Sequence, residues 1–94
     1  MLPVEWTDEA RDDLLQIVRY VSQHNPPAAV KLGRTIEEST LPLSEHPYLF
    51  RTGRMPGTRE IVPHPNYIVV YCVMTSHVEI LRVIHARRNF PTTG

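Results

Sequence analysis

Residues 67–85 read YIVVYCVMTSHVEILRVIH, and this stretch decides the fold. Its two runs, Tyr67–Met74 and Val78–His85, are dense in β-branched and aromatic side chains, which suit a pleated, half-buried surface. Thr75, Ser76 and His77 between them suffice for a tight reversal but not for a crossover helix. The runs are therefore predicted to pair antiparallel. Alternation places Tyr67, Val69, Tyr71 and Val73 on one face and Ile68, Val70, Cys72 and Met74 on the other. An antiparallel sheet commonly keeps one face polar. Here neither face is, so one is expected to cover a helical layer and the other to stay open for a partner chain. The alternative is that the 44–57 loop and the tail fold over it.

Upstream, Thr58–Val62 is a third candidate strand, interrupted by Pro63 and Pro65. The 44–57 stretch contains Pro47, Gly53, Pro56 and Gly57 and reads as a loop bringing Arg51 and Arg54 to the surface. Further back the period changes. Ala10, Leu14, Ile17, Val18 and Val21 form a single helical stripe, which Thr7 can cap and Asp8 and Glu9 favour electrostatically. Asn25-Pro26 restarts a helix, with Ala29, Leu32 and Ile36 inward, and Pro42 ends it. The prediction is an α+β domain spanning 1–94. An antiparallel helical hairpin over about 7–41 packs on a small twisted antiparallel sheet over about 58–86. Val4–Trp6 is a candidate edge strand, and Pro91–Gly94 a frayed tail.

Ten Lys+Arg balance ten Asp+Glu over 94 residues, an ordinary composition for a globular protein. No stretch approaches the ~20 apolar residues that span a bilayer. With no secretory signal and Cys72 as the one cysteine, a cytoplasmic protein without membrane association is expected. The neutral total hides an asymmetry. Residues 1–50 carry four basic and eight acidic side chains, whereas residues 51–94 carry six arginines and two acids. Arginine suits bidentate recognition of phosphate or carboxylate, so an anionic partner is one reading. Salt bridges between the two halves are the other.

Five histidines lie on separate elements without ligand spacing, and no glycine-rich phosphate loop follows a strand, so no metal and no cofactor are expected. Mid-strand Cys72 reads as a small packing residue rather than a nucleophile. What remains is Arg51, Arg54, Arg59, His64, Arg82, His85, Arg87 and Arg88. RNA cleavage by 2′-hydroxyl attack needs a base, an acid and cations on the phosphate, and these side chains could supply them. His85 could equally close its strand by bonding to backbone, and Arg82 could pair with Glu79 or Glu60.

Three stretches, WTDEARDDLLQIVRYVSQHNPPAAVKLGRTI, RTGRMPGTREIVPHPNYIVVYCV and VEILRVIHARRNFP, resemble RelE/ParE superfamily toxins of bacterial type II toxin–antitoxin systems. The likeness runs from Val4 to Pro91 with the same element order. It implies a helical hairpin on a small sheet, a toxin that arrests growth, and a co-encoded antitoxin that neutralises it. Operator DNA would be met only through the antitoxin. The RelE branch implies ribosome-dependent cleavage of mRNA, and the ParE branch implies inhibition of DNA gyrase, a property tied to plasmid stabilization. Where RelE-like strands carry basic side chains this chain has Glu60, Val62 and Pro63, and Ile68 stands where they place an arginine. The resemblance is therefore closer to ParE. Under that reading Arg51, Arg54, Arg59, Arg82 and Arg88 bind target or antitoxin. Under the endoribonuclease alternative His64, His85 and Arg87 are catalytic.

Overall fold

The computed structural model describes residues 1–87; Arg88 and the tail expected to fray at Pro91–Gly94 lie outside the described residues. The chain runs β1 (Val4–Trp6), α1 (Asp8–Ser22), α2 (Pro26–Ser39), a short 3-10 turn (Leu41–Ser44), β2 (Arg59–His64), β3 (Tyr67–Val73) and β4 (Val78–His85). Two helices pack on one face of a four-stranded sheet ordered β1-β4-β3-β2. The sheet is antiparallel across β2, β3 and β4, as expected. It becomes mixed at the edge, where β1 joins β4 in parallel with Val4 opposite Val78 and Trp6 opposite Ile80. α1, α2, β2 and β3 all lie between these two strands in the chain, ample length for the crossover that a parallel pair requires.

Each helix starts where a side chain can satisfy a free amide. Thr7 Oγ1 accepts from the Ala10 amide at 3.1 Å, and Asn25 Oδ1 from the Ala28 amide at 3.1 Å. Gly33 lets the helices approach, since a Cβ there would sit 3.1 Å from Val18 Cγ2. The main core gathers Ala10, Ile36, Leu43, Val69, Tyr71, Val78 and Ile80 between helices and sheet.

The opposite sheet face corrects the expectation of an open apolar surface. Ile68 and Val70 are only 2% and 3% exposed and form a second small core with Leu81, Ile84 and Ala86. Toward the far end of β3, Cys72 is half-buried and Met74 exposed. A bulge in β4 makes this second core possible. Tyr71 pairs with Ile80 but Val70 with Arg82, so Leu81 is an extra residue. Strict alternation is broken there. Val78, Ile80 and Val83 serve the main core, while Leu81 and Ile84 serve the second.

Candidate functional site

The candidate residues do not assemble into one cluster; the sheet distributes them over three places. At the outer side of β2, residues 51–60 form a hairpin of their own. Thr52 pairs with Arg59, the Gly53 amide donates to Thr58 O at 2.7 Å, and the Glu60 amide donates to Arg51 O at 3.1 Å. Inside it lies Glu60, a carboxylate residue 3% exposed. Arg51 Nη2 donates to one carboxylate oxygen at 3.0 Å and the Arg54 amide to the other at 3.2 Å, with Arg54 Nε at 3.9 Å. Arg59 turns the other way: its Nη1 donates to Phe50 O at 2.7 Å, and its guanidinium lies 4.9 Å from the centre of the Tyr48 ring. Nearby, Tyr71 donates to Pro47 O at 3.0 Å. Burial raises the Tyr71 pKa above its ordinary value, outweighing Arg59 and the Phe50 backbone, which lower it.

The second place joins helix to sheet. Arg82 does not pair with Glu79 or Glu60; it donates to Asp13 of α1 from Nε at 2.7 Å and from Nη2 at 3.0 Å. The Val83 amide donates to the same carboxylate at 2.9 Å. The bond to Asp13 raises the already high Arg82 pKa further. Thr7 Oγ1 donates to Leu81 O at 3.0 Å, so the backbone around the bulge is served by side chains from the start of α1 and from its second turn.

The third place is the far end of the sheet, where the ring of Tyr67 stands between two imidazoles. Its centre is 5.7 Å from that of His64 and 5.4 Å from that of His85. Both histidines bond to backbone. His64 Nδ1 accepts from the Asn66 amide at 3.0 Å, and His85 Nδ1 accepts from the Arg87 amide at 3.1 Å. An amide can only donate, so each neutral ring carries its proton on Nε2. The Arg87 residue is exposed. Beside this end, Gln16, Ile17, Tyr20 and Val21 of α1 face Tyr67, Ile84 and His85 across a groove of about 790 Å³.

The structure thus keeps His64 and His85 together on either side of Tyr67, with the Arg87 amide bonded to His85, but sets them apart from Arg51, Arg54 and Arg59 at the other end of β2. Arg88 lies outside the described residues. Among the described residues no group of three or more His, Cys, Asp or Glu side chains could hold a metal ion. Burial and the nearby Glu79 push the Cys72 thiol pKa up, which keeps it protonated and poorly nucleophilic near neutral pH. Sequence reasoning missed Asp13, Glu60 and Tyr67. A lone carboxylate among Arg51, Arg54 and Arg59 was the available signal for Glu60, whereas Asp13 lies 69 residues from Arg82 and carried none.

Comparison with known proteins gives this architecture its class. The chain superposes with TM-score 0.82 and 24% identity on a chain of the chromosomal ParDE TA system from P. aeruginosa, over 90% of this chain and 96% of that one. It superposes with TM-score 0.59 and 25% identity on a chain of the RelBE2 toxin–antitoxin complex from Mycobacterium tuberculosis, over 94% and 97%. Toxin RelE2 of Caulobacter vibrioides is 34% identical over 90 residues, 94% of this chain and 99% of its own. Protein Y4kP of Sinorhizobium fredii is 35% identical over 89 residues, 94% of this chain and 92% of its own. Fold and sequence define a RelE/ParE-type toxin. The family described as ParE toxin of type II toxin-antitoxin system, parDE, matches residues 4–90, and the chain belongs to that family.

Proposed function

We propose that this toxin arrests growth by binding DNA gyrase in the cytoplasm, as the ParE branch implies, and that it cleaves no bond itself. One observation carries the reading: the two histidines and four of the arginines that cleavage would call on already have internal partners. His64 and His85 give up Nδ1 to main-chain amides, which leaves Nε2–H as a donor rather than a base in the neutral ring. Arg51 and Arg54 face Glu60, Arg59 bonds to main-chain carbonyls, and Arg82 is held bidentate by Asp13. Cleavage demands a cation held largely unbalanced against the phosphate, and an arginine that shares its charge with a carboxylate meets that demand poorly. Binding makes no such demand, because a preformed surface needs only complementarity.

The test is gyrase supercoiling and gyrase-mediated DNA cleavage with purified toxin at increasing concentration. Inhibition, or accumulation of cleaved complex, is expected. Unaffected gyrase at micromolar excess refutes the reading. The arrangement of His64, Tyr67 and His85 beside Arg87 favours a second reading, ribosome-dependent cleavage of mRNA. That reading requires discrete cuts within coding frames of cellular transcripts, abolished by His85→Ala or Arg87→Ala. Under either reading the co-encoded antitoxin neutralises the toxin, and operator DNA is reached only through it. Separate pulse labels for DNA and protein synthesis after induction divide the two: early loss of DNA synthesis indicates gyrase, and early loss of protein synthesis indicates mRNA.

A further inference from the structure

The hairpin at residues 47–60 is built more tightly than a connecting loop requires. Its centre is the Glu60 carboxylate, whose side chain is 2% exposed and whose oxygens hold Arg51 Nη2 and the Arg54 amide. A carboxylate taken out of water is destabilising unless its partners are fixed around it, so this one specifies a single loop shape. Gly53 reinforces that shape, because a Cβ there would collide with Thr58 Oγ1. Gly57, at φ +79°, turns the tip. What this rigid frame displays is apolar. Tyr48 and Leu49 at its base are 65% and 61% exposed, and Met55 at its tip is exposed as well. The guanidinium-bearing side chains of Arg51 and Arg54 between them are 58% and 53% exposed.

An ordered loop that turns tyrosine, methionine and arginine outward, with leucine beside them as apolar contact surface, has the residues that protein interfaces favour. Its chemistry selects the occupant. Arg51 and Arg54 meet the one buried carboxylate while Arg59 turns to the Tyr48 ring, so three positive charges stand against one negative and favour an acidic partner. One face of the Tyr48 ring is taken by the Arg59 guanidinium, and Leu49 and Met55 offer aliphatic surface, so the loop suits protein side chains better than stacked bases. We infer that the hairpin at 47–60 is a preformed docking site for an acidic, apolar-bearing segment of the toxin's own antitoxin. The inference rests on the chain acting as a toxin neutralised by that antitoxin.

The test uses the full toxin with its co-encoded antitoxin in a titration at two salt concentrations. Leu49→Asp is expected to weaken the complex by at least about tenfold. Arg54→Ala is expected to weaken it less and to reduce its salt dependence. Val30→Ser, which removes an apolar side chain 60% exposed on α2, is expected to leave affinity unchanged. Thermal melts check that each variant is folded, and Met55→Ser replaces Leu49→Asp if the latter does not fold. Wild-type affinity in Leu49→Asp, or an equal loss in Val30→Ser, overturns the proposal. So does a poly-uridine oligonucleotide that loses binding in Leu49→Asp while the antitoxin does not. Growth arrest by toxin alone is scored separately: its absence removes the toxin reading, whereas the titration still reports on the docking site.

Discussion

Two carboxylates carry more of this molecule than their surroundings in the chain suggest. Asp13 receives three donors, Arg82 Nε, Arg82 Nη2 and the Val83 amide, and so fastens α1 to the bulge of β4. Asp13→Ala leaves that amide without its partner and is expected to lower stability by about 2 kcal/mol, read from the urea midpoint. Arg82→Met, which keeps an apolar stem, is expected to cost less, because the side chain is 44% exposed and Asp13 keeps the Val83 amide. Equal losses in the two variants would contradict this division. Glu60 differs in kind, since it shapes a loop rather than joining layers. Glu60→Gln keeps the size and loses the charge, so faster hydrogen exchange at the Gly53 and Arg54 amides is expected, with the β3–β4 amides unchanged.

At the scale of elements, the helical hairpin is fastened at its entry and in its middle. Thr7 caps α1 through the Ala10 amide and also donates to Leu81 O, so one hydroxyl serves helix and sheet. Thr7→Ala is expected to cost about 1–2 kcal/mol in a denaturant melt, whereas Thr7→Ser is expected to keep most of it. In α2, Ile36 is fully buried against the sheet. Ile36→Ala strips away apolar surface and leaves a void, and is expected to cost about 2–5 kcal/mol. The bulge is the feature of β4 that alternation concealed. VEILRVIH reads as a regular strand, yet the extra Leu81 shifts the inward set from Ile80 to Val83. Its neighbours in space, Thr7 and Asp13, stand at the other end of the sequence, so no local pattern could announce it.

At the scale of the whole molecule, Tyr71 links the core to the arginine-bearing hairpin through Pro47 O. Burial raises its folded pKa above the ordinary value of 10.0, so the native state favours the neutral phenol. The sign follows from linkage: this contribution is full below the unfolded pKa and is lost as pH rises through the higher folded one. Stability is therefore expected to hold from neutral pH to about pH 10 and then fall, as measured by urea midpoints across that range. Tyr71→Phe loses the bond to Pro47 O, about 1 kcal/mol at neutral pH, and is expected to flatten the alkaline decline. An unchanged alkaline slope in that variant would assign the decline to other groups.

Much of the fold was legible in the chain because its signals are local. Caps at Thr7 and Asn25, stripes at 3.6-residue spacing, and two β-branched runs joined by a short turn each need only neighbouring residues to be read. Together they determined a helical hairpin and three antiparallel strands, and stretches running to Pro91 carried the likeness to the toxin superfamily. Tertiary structure alone decided the rest. The parallel seating of β1, the bulge at Leu81, the closing of the outer face over Ile68 and Val70, and the division of the arginines between Glu60 and Asp13 all join residues far apart in the chain. Which carboxylate meets which guanidinium depends on register and on the path of the loop. Those become fixed only when the apolar faces have found each other, because burial drives assembly while charge pairing selects among the geometries that burial allows.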